Sequence, residues 1–184
     1  MARALRVGGN KSDIVEPMQM VHAGEHVEFR ILNRFPLFRE VYGANGLGTI
    51  EVTGTIRQQA KISVEDGSVY RLRATSRLAG RDGSHFSYAI RNQDGSANYR
   101  LITPLRSAND AGAAQPETYR IVLEETEYAF RQKTPGRRGF SIVDGSEQNT
   151  LVSTDGSNGI AVHYTVPALL VLLLPWVDNQ VRLP

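Results

Sequence analysis

The feature that most constrains the fold is an apolar run near the end of the chain, from Val166 to Val177. Its twelve residues include no charged side chain, and its leucines would cover every side of a helix. A helix that is apolar all round is buried all round, whereas a membrane-spanning helix needs about 20 apolar residues. We therefore expect a hydrophobic helix at about 166–178 that is enclosed by the rest of the chain.

Two prolines bear on this helix. Pro167 suits the first helical turn, where its missing N–H leaves no hydrogen bond unmade. Pro175 follows eight residues later and is expected to kink or end the helix. A C-terminal membrane anchor is the alternative, because the apolar run can be extended back to Ile160, although this brings in His163, Tyr164 and Thr165.

Before this run, the chain consists largely of short segments in which apolar and polar residues alternate. Asp-Gly-Ser triplets punctuate these segments, starting at Asp66, Asp82, Asp94, Asp144 and Asp155. Asp-Gly supplies the positive φ angles of tight hairpin turns. The alternating segments that we interpret as strands are 27–32, 37–42, 49–53, 69–75, 84–90, 97–103, 118–123, 127–131, 139–143 and 159–164. They predict an antiparallel meander of ten to twelve strands.

Many hairpins followed by one wholly apolar helix predict a mainly β fold, an antiparallel β-barrel of roughly twelve strands around a buried C-terminal helix. Closing the sheet on itself also removes its exposed edges. The 184 residues suit one domain, 1–184. The segment 107–117 is small and polar, and we interpret it as a surface loop of that single barrel domain.

Two stretches carry a resemblance to a known family, namely Phe140-Ser-Ile-Val-Asp-Gly-Ser146 and the apolar segment from Leu169 to Asp178. They resemble a strand, a turn and a terminal helix of the tubby C-terminal-like superfamily, which includes LURP-one-related proteins and phospholipid scramblases. The resemblance covers roughly residues 84–180, and Pro175 departs from its pattern. It implies a barrel of about twelve strands closed around the helix, with basic surface residues that bind phosphoinositide head groups.

Composition excludes several functions. The chain has no cysteine, which excludes disulfides, a thiol nucleophile, Cys-ligated zinc and iron–sulfur clusters. The chain has 21 Lys and Arg against 19 Asp and Glu. The resulting net charge of +2 is too small to produce the strong positive field that would indicate a nucleic-acid-binding protein. The first residues lack the apolar run of a secretory signal, and we expect a cytoplasmic protein.

One motif has the spelling of a metal site. His22-Ala-Gly-Glu-His26 matches the His-x-x-Glu-His pattern of inverted zinc proteases, in which a helix places both histidines on one face. Gly24 interrupts the segment, and a strand begins at about Val27, so we interpret it as a turn that enters a strand. No nucleophile motif, P-loop or dinucleotide fingerprint is present, and we expect a protein that is no enzyme and needs no metal or cofactor.

The candidate binding site is a basic hairpin near the end of the barrel sequence. Four cations lie within eight residues that include no acid: Arg131, Lys133, Arg137 and Arg138. Guanidinium groups and free backbone N–H groups in such a turn can hold a phosphate through charge-assisted hydrogen bonds. The other interpretation is a solvated hairpin tip. Residues 61–106 carry a second basic cluster, composed of Arg71, Arg73, Arg77 and Arg81.

These observations favour a non-catalytic β-barrel module that binds an anionic partner, foremost a phospholipid head group, through a basic surface loop. The binding would be a peripheral contact with a membrane. The alternative is a structural or assembly subunit, such as a component of a shell, filament or virion, with no small-molecule ligand. The oligomeric state and the identity of the ligand are not encoded in any pattern of the sequence.

Overall fold

The computed structural model describes residues 18–35, 39–53, 59–80, 83–95, 97–103, 117–134, 139–154 and 159–180. Within these residues the elements, in chain order, are β1 (Met20–Val21), β2 (His26–Phe35), β3 (Arg39–Ala44), β4 (Gly48–Thr53), β5 (Gln59–Val64), β6 (Val69–Gly80), β7 (Gly83–Asn92), β8 (Asn98–Ile102), β9 (Thr118–Leu123), β10 (Thr126–Gln132), β11 (Phe140–Asp144), β12 (Thr150–Thr154), β13 (Gly159–Val162), β14 (Val166–Pro167) and α1 (Ala168–Gln180).

Strands β2 to β13 form a closed barrel in which each strand pairs antiparallel with the next one in sequence. The barrel closes where β13 pairs with β2, in a register that puts Ile160 opposite Val27. This confirms the predicted antiparallel barrel of about twelve strands. The two remaining strands, β1 and β14, pair with each other directly before the helix.

Each of the ten segments that the alternation predicted overlaps a strand. The structure adds β5 and β12 in the barrel, and the two-residue strands β1 and β14 outside it. The triplets that start at Asp66, Asp94 and Asp144 connect consecutive strands. Ser96 of the second of these triplets lies outside the described residues. The triplets that start at Asp82 and Asp155 also lie partly or wholly outside them, as does the predicted loop 107–117 except for its last residue.

Helix α1 fills the barrel. Every residue from 166 to 177 is buried. The indole of Trp176 meets the ring of Tyr88 edge to face, with centroids 4.9 Å apart. The wall contributes fully buried side chains from neighbouring strands, including Ile50, Ile62, Leu72, Ile90 and Leu101. The enclosure predicted for the apolar run is therefore confirmed, and the described residues contain no helix long and apolar enough to cross a membrane.

The helix differs from the prediction at both ends. It begins at Ala168, because Val166 and Pro167 pair with β1 in a separate two-stranded sheet. Of the two effects expected of Pro175, a kink or an end, the second does not occur, since the helix continues to Gln180. Pro175 lacks the N–H that would bond to the carbonyl of Val171. The complete burial of Trp176 and Val177 beyond it holds the last turns in place.

Candidate anion-binding surfaces

The segment His22–His26, which matches the zinc-protease motif, is a turn, as the sequence predicted. The backbone N–H of His22 donates to Oε1 of Glu25 at 3.2 Å, and Gly24 has a φ of 89°. His26 then begins β2, so the two histidines do not share a helix face. In the described part of the chain, no group of three His, Cys, Asp or Glu side chains is placed to hold a metal ion.

The predicted basic hairpin joins β10 and β11. Arg131 is exposed on the outer face of the barrel, in register between Thr118 and Ser141. Lys133 is also exposed, but its ammonium group donates to the backbone carbonyl of Thr154. Arg137 and Arg138, the other two predicted anion-binding residues, lie outside the described residues. Neither Arg131 nor Lys133 forms an ion pair with a residue that the structure describes, but the ammonium group of Lys133 is engaged by its hydrogen bond.

An acidic side chain from the helix reaches the base of this hairpin. The backbone N–H of Gly139 donates to Oδ1 of Asp178 at 2.6 Å, and the carbonyl of Gly139 accepts from the N–H of Lys133 at 3.0 Å. The local sequence of the hairpin contains no acid, yet the fold brings the Asp178 carboxylate to it. That carboxylate offsets part of the positive charge near Lys133.

A larger set of cations lies on the outer face of β5 to β8, which we call the basic face. Its members are Lys61, Arg71, Arg73, Arg91 and Arg100, all exposed. They alternate along their strands with buried residues such as Leu72 and Ile90, because successive side chains of a strand point to opposite faces. Lys61, Arg71 and Arg91 are direct cross-strand neighbours.

Four of these cations surround one small residue, Ala89, on the outer face of β7. Arg73 and Arg100 lie directly opposite Ala89 on the two neighbouring strands. Arg91 is two residues further along β7 on the same face, and Arg71 is opposite Arg91. We call these four residues the arginine quartet; Ala89 forms its half-buried floor.

Two members of the quartet are held by hydrogen bonds through Nε. Arg100 donates from Nε to the hydroxyl of Ser87 at 2.7 Å, and Ser87 is only 1% exposed. Arg91 donates from Nε to Oδ1 of Asn98 at 3.4 Å. These contacts leave the terminal nitrogens of both guanidinium groups without a partner among the described residues.

The basic face differs from three other exposed arginines of the barrel, which form ion pairs. Arg30 pairs with Glu28 at 3.7 Å, Arg39 with Glu51 at 2.8 Å, and Arg120 with Glu127 at 2.9 Å. The hydrogen bond from Arg120 to Glu127 is the main reason that the pKa of Arg120 is raised. No member of the basic face forms an ion pair with a residue that the structure describes. Lys61 lies directly opposite Glu51 on β4, whereas none of the four arginines has a carboxylate residue at the positions that the register places opposite it.

Acidic side chains collect at one end of the barrel. Burial raises the pKa of the Tyr70 hydroxyl, and the nearby carboxylates of Asp66, Glu124 and Asp94 raise it further. These three residues belong to turns that follow β5, β9 and β7. The molecule thus carries positive charge on one flank and negative charge at one end.

The sequence indicated only part of the basic face. It singled out Arg71 and Arg73, which the structure places in the quartet. Arg77 lies in β6, but its side chain is not described, and Arg81 lies outside the described residues. Lys61, Arg91 and Arg100 were missed because they come from other strands. Arg100 occupies an alternate position of a predicted strand, but that pattern gives no register. Lys61 lies in β5, which the alternation did not predict, and Arg91 follows the predicted segment 84–90.

Comparison of the chain with protein-family models, with curated proteins and with solved structures found no match.

Proposed function

We propose that this protein is a non-catalytic β-barrel that binds anionic phospholipid surfaces by peripheral contact. The observation that carries the proposal is the basic face, five exposed cations without a described carboxylate partner. The basic hairpin at Arg131 and Lys133 contributes a second positive region. The resemblance to the tubby-like superfamily leads to the same expectation, and both membership of that family and a cytoplasmic location are part of the proposal.

The arrangement of the cations supports an anionic partner. Like charges that lie directly opposite each other on neighbouring strands are unfavourable. Lys61, Arg71 and Arg91 form such a row across three strands. An anionic surface stabilises this row because it replaces repulsion between the cations with attraction to phosphate groups.

Two further features favour a membrane as that surface. Ile102 and Val122 are 38% and 49% exposed, and Val122 lies directly opposite Arg100 on the outer face. Apolar side chains beside cations suit the boundary between head groups and acyl chains. The acidic turns with Asp66 and Glu124 would be repelled by the same surface, so the barrel would lie with its basic flank towards the lipid.

The proposal is tested by co-sedimentation with vesicles that contain phosphatidylserine. The variant R71Q/R91Q removes two cations from the basic face, and R30Q/R39Q removes the same charge from residues that form ion pairs. We expect wild type and R30Q/R39Q to bind, and R71Q/R91Q to bind at least several-fold more weakly, since each cation near an anionic surface contributes about 1 kcal/mol. Binding should weaken as salt rises from about 0.1 M to 1 M, which shortens the Debye length from about 10 Å to about 3 Å.

Equal loss of vesicle binding in the two double variants would show that only net charge matters, and would contradict the assignment to the basic face. No binding by wild-type protein at low salt would contradict the membrane proposal altogether.

An assembly subunit is the second candidate function. Ile31 and Leu32 on β2 are 43% and 59% exposed, and they lie at a register shift in the pairing with β3. Exposed apolar side chains of this kind suit a contact with another protein subunit. Light scattering at micromolar concentration distinguishes the two functions, since an assembly subunit forms large regular particles and the lipid-binding module stays monomeric.

A further inference from the structure

We propose that the arginine quartet around Ala89 is a discrete binding site for a phosphomonoester group. This inference rests on the proposed function in that it uses the same basic face, but it goes further. Attraction of a basic flank to an anionic membrane requires only charge, whereas the quartet offers guanidinium donors at neighbouring positions of three adjacent strands.

The register of the barrel wall places the four arginines at positions next to Ala89 on the outer face. Residues directly opposite on neighbouring strands have Cβ atoms about 5 Å apart, and second neighbours along a strand are about 6.6 Å apart. Arg73 and Arg100 flank Ala89 at the first distance, and Arg91 lies at the second. Because Ala89 has only a methyl group, its side chain is much shorter than the arginines beside it, and it stays partly exposed between them.

The site is also partly preorganised. The hydrogen bond from Nε of Arg100 to the buried hydroxyl of Ser87 fixes the base of that guanidinium group. The hydrogen bond from Nε of Arg91 to Asn98, which lies opposite it on β8, restrains the guanidinium group of Arg91 in the same way. An arginine restrained in this way has less conformational freedom to lose when its terminal nitrogens bind a ligand.

The chemistry of the donors selects the ligand class. Four guanidinium groups present pairs of planar donors that match the oxygens of phosphate. A phosphomonoester carries a charge of about −1.5 to −2 at pH 7 and three strong acceptor oxygens, whereas a carboxylate has one charge and two oxygens. A phosphodiester carries one charge and two free oxygens, so it would use fewer of the available donors. A terminal phosphate is therefore the group that satisfies the quartet best.

The decisive variant is Ala89→Leu, which fills the floor of the site but leaves every charge in place. Ala161→Leu is the matched control, because Ala161 is also half-buried on the outer face and its strand, β13, lies on the opposite side of the barrel ring. A second variant, R73Q/R100Q, removes the two cations that flank Ala89. The melting temperature of each variant shows whether it has folded.

Two probes distinguish the source of the phosphate. Calorimetric titration with glycerol 3-phosphate tests a soluble phosphomonoester, and vesicles that contain phosphatidic acid test the same group on a lipid. Vesicles of equal surface charge made with phosphatidylserine, whose head group is a phosphodiester, provide the reference. We expect wild type and A161L to bind at least one phosphomonoester probe, and A89L and R73Q/R100Q to bind it about tenfold more weakly, as the loss of one bidentate contact implies.

Binding of glycerol 3-phosphate that depends on Ala89 supports a site for soluble phosphates, and binding confined to phosphatidic acid vesicles supports a lipid ligand. Equal binding to the two kinds of vesicle together with no response to glycerol 3-phosphate overturns the inference, as does unchanged binding by folded A89L. The two proposals fail separately. If wild type binds phosphatidylserine vesicles but shows no preference for a phosphomonoester, only the discrete site is contradicted. If it binds glycerol 3-phosphate in a way that depends on Ala89 but binds no vesicles, only the membrane function is contradicted.

Discussion

At the scale of single residues, Asp144 shows how one carboxylate organises a turn. Its Oδ1 accepts hydrogen bonds from the hydroxyl of Ser146 at 2.8 Å and the N–H of Gln148 at 3.1 Å, and its Oδ2 accepts from Nδ2 of Asn149 at 2.5 Å. These bonds, those from Asn149 and Ser146 above all, lower the pKa of the Asp144 carboxyl. The Asp-Gly-Ser triplet therefore does more than supply a glycine, because its first residue caps the loop between β11 and β12.

The lowered pKa predicts how stability depends on pH. A carboxyl whose pKa is lower in the folded than in the unfolded chain stabilises the fold above its unfolded value, and this contribution is lost as the pH falls through the folded value. We expect the melting temperature of wild type to fall as the pH decreases below about 4, the usual pKa of an aspartate. Asp144→Asn should show a smaller fall over the same range. Parallel melting curves for the two proteins would contradict this role.

At the scale of secondary-structure elements, α1 depends on the barrel and the barrel depends on α1. The helix has no acidic residue in its first turn and no basic residue in its last turn, so it lacks the charges that stabilise an isolated helix through its dipole. Its stability comes from burial inside the ring of strands. The strands in turn place their apolar side chains against it, since no other element fills the interior of the described barrel.

This dependence is tested at Leu172, which is fully buried in the middle of α1. Leu172→Asp places a carboxylate in the interior without a partner and is expected to abolish folding. Leu172→Met keeps the apolar volume and should cost less than about 1.5 kcal/mol of unfolding free energy. Circular dichroism and urea denaturation measure both variants. A folded L172D protein would contradict the enclosure of the helix.

The elements were predictable to different degrees. Buried and exposed positions alternate along β9, and the sequence indicated this strand and β6 correctly. The short strand β12, Thr150–Thr154, has little apolar character and is held by its pairing with β11 and β13. The continuation of the helix beyond Pro175 depends on tertiary packing, which outweighs the local preference of proline.

At the scale of the whole molecule, the basic face arises from register, which the sequence does not encode directly. Arg71 and Arg91 are twenty positions apart in the chain but directly opposite in the barrel. The hairpin cluster at Arg131 was found because its charges are close in sequence. Residues that are brought together from several strands leave no such local pattern, so the quartet could be identified only from the structure.

The two basic regions predict a further result at this scale. The variant R131Q/K133Q/R137Q/R138Q should keep nearly the melting temperature of wild type, because exposed charges contribute at most about 1 kcal/mol each to stability. It should bind phosphatidylserine vesicles more weakly than wild type but retain its preference for phosphatidic acid, which we assign to the quartet. Vesicle sedimentation measures both. Vesicle binding equal to that of wild type would show that the hairpin is a solvated tip that does not contribute to lipid binding.

The closure of the barrel between β2 and β13 has a consequence for how the protein folds. Glu28 and Gly159 pair across this seam, although nearly all the other strands lie between them in sequence. Contacts between distant parts of a chain form slowly, because loop-closure entropy is lost before they contribute stability. Until the seam forms, two strand edges and the apolar lining stay accessible to other chains, and such species aggregate. Refolding yield should therefore decrease steeply with protein concentration, even though the native barrel has no free edge between β2 and β13.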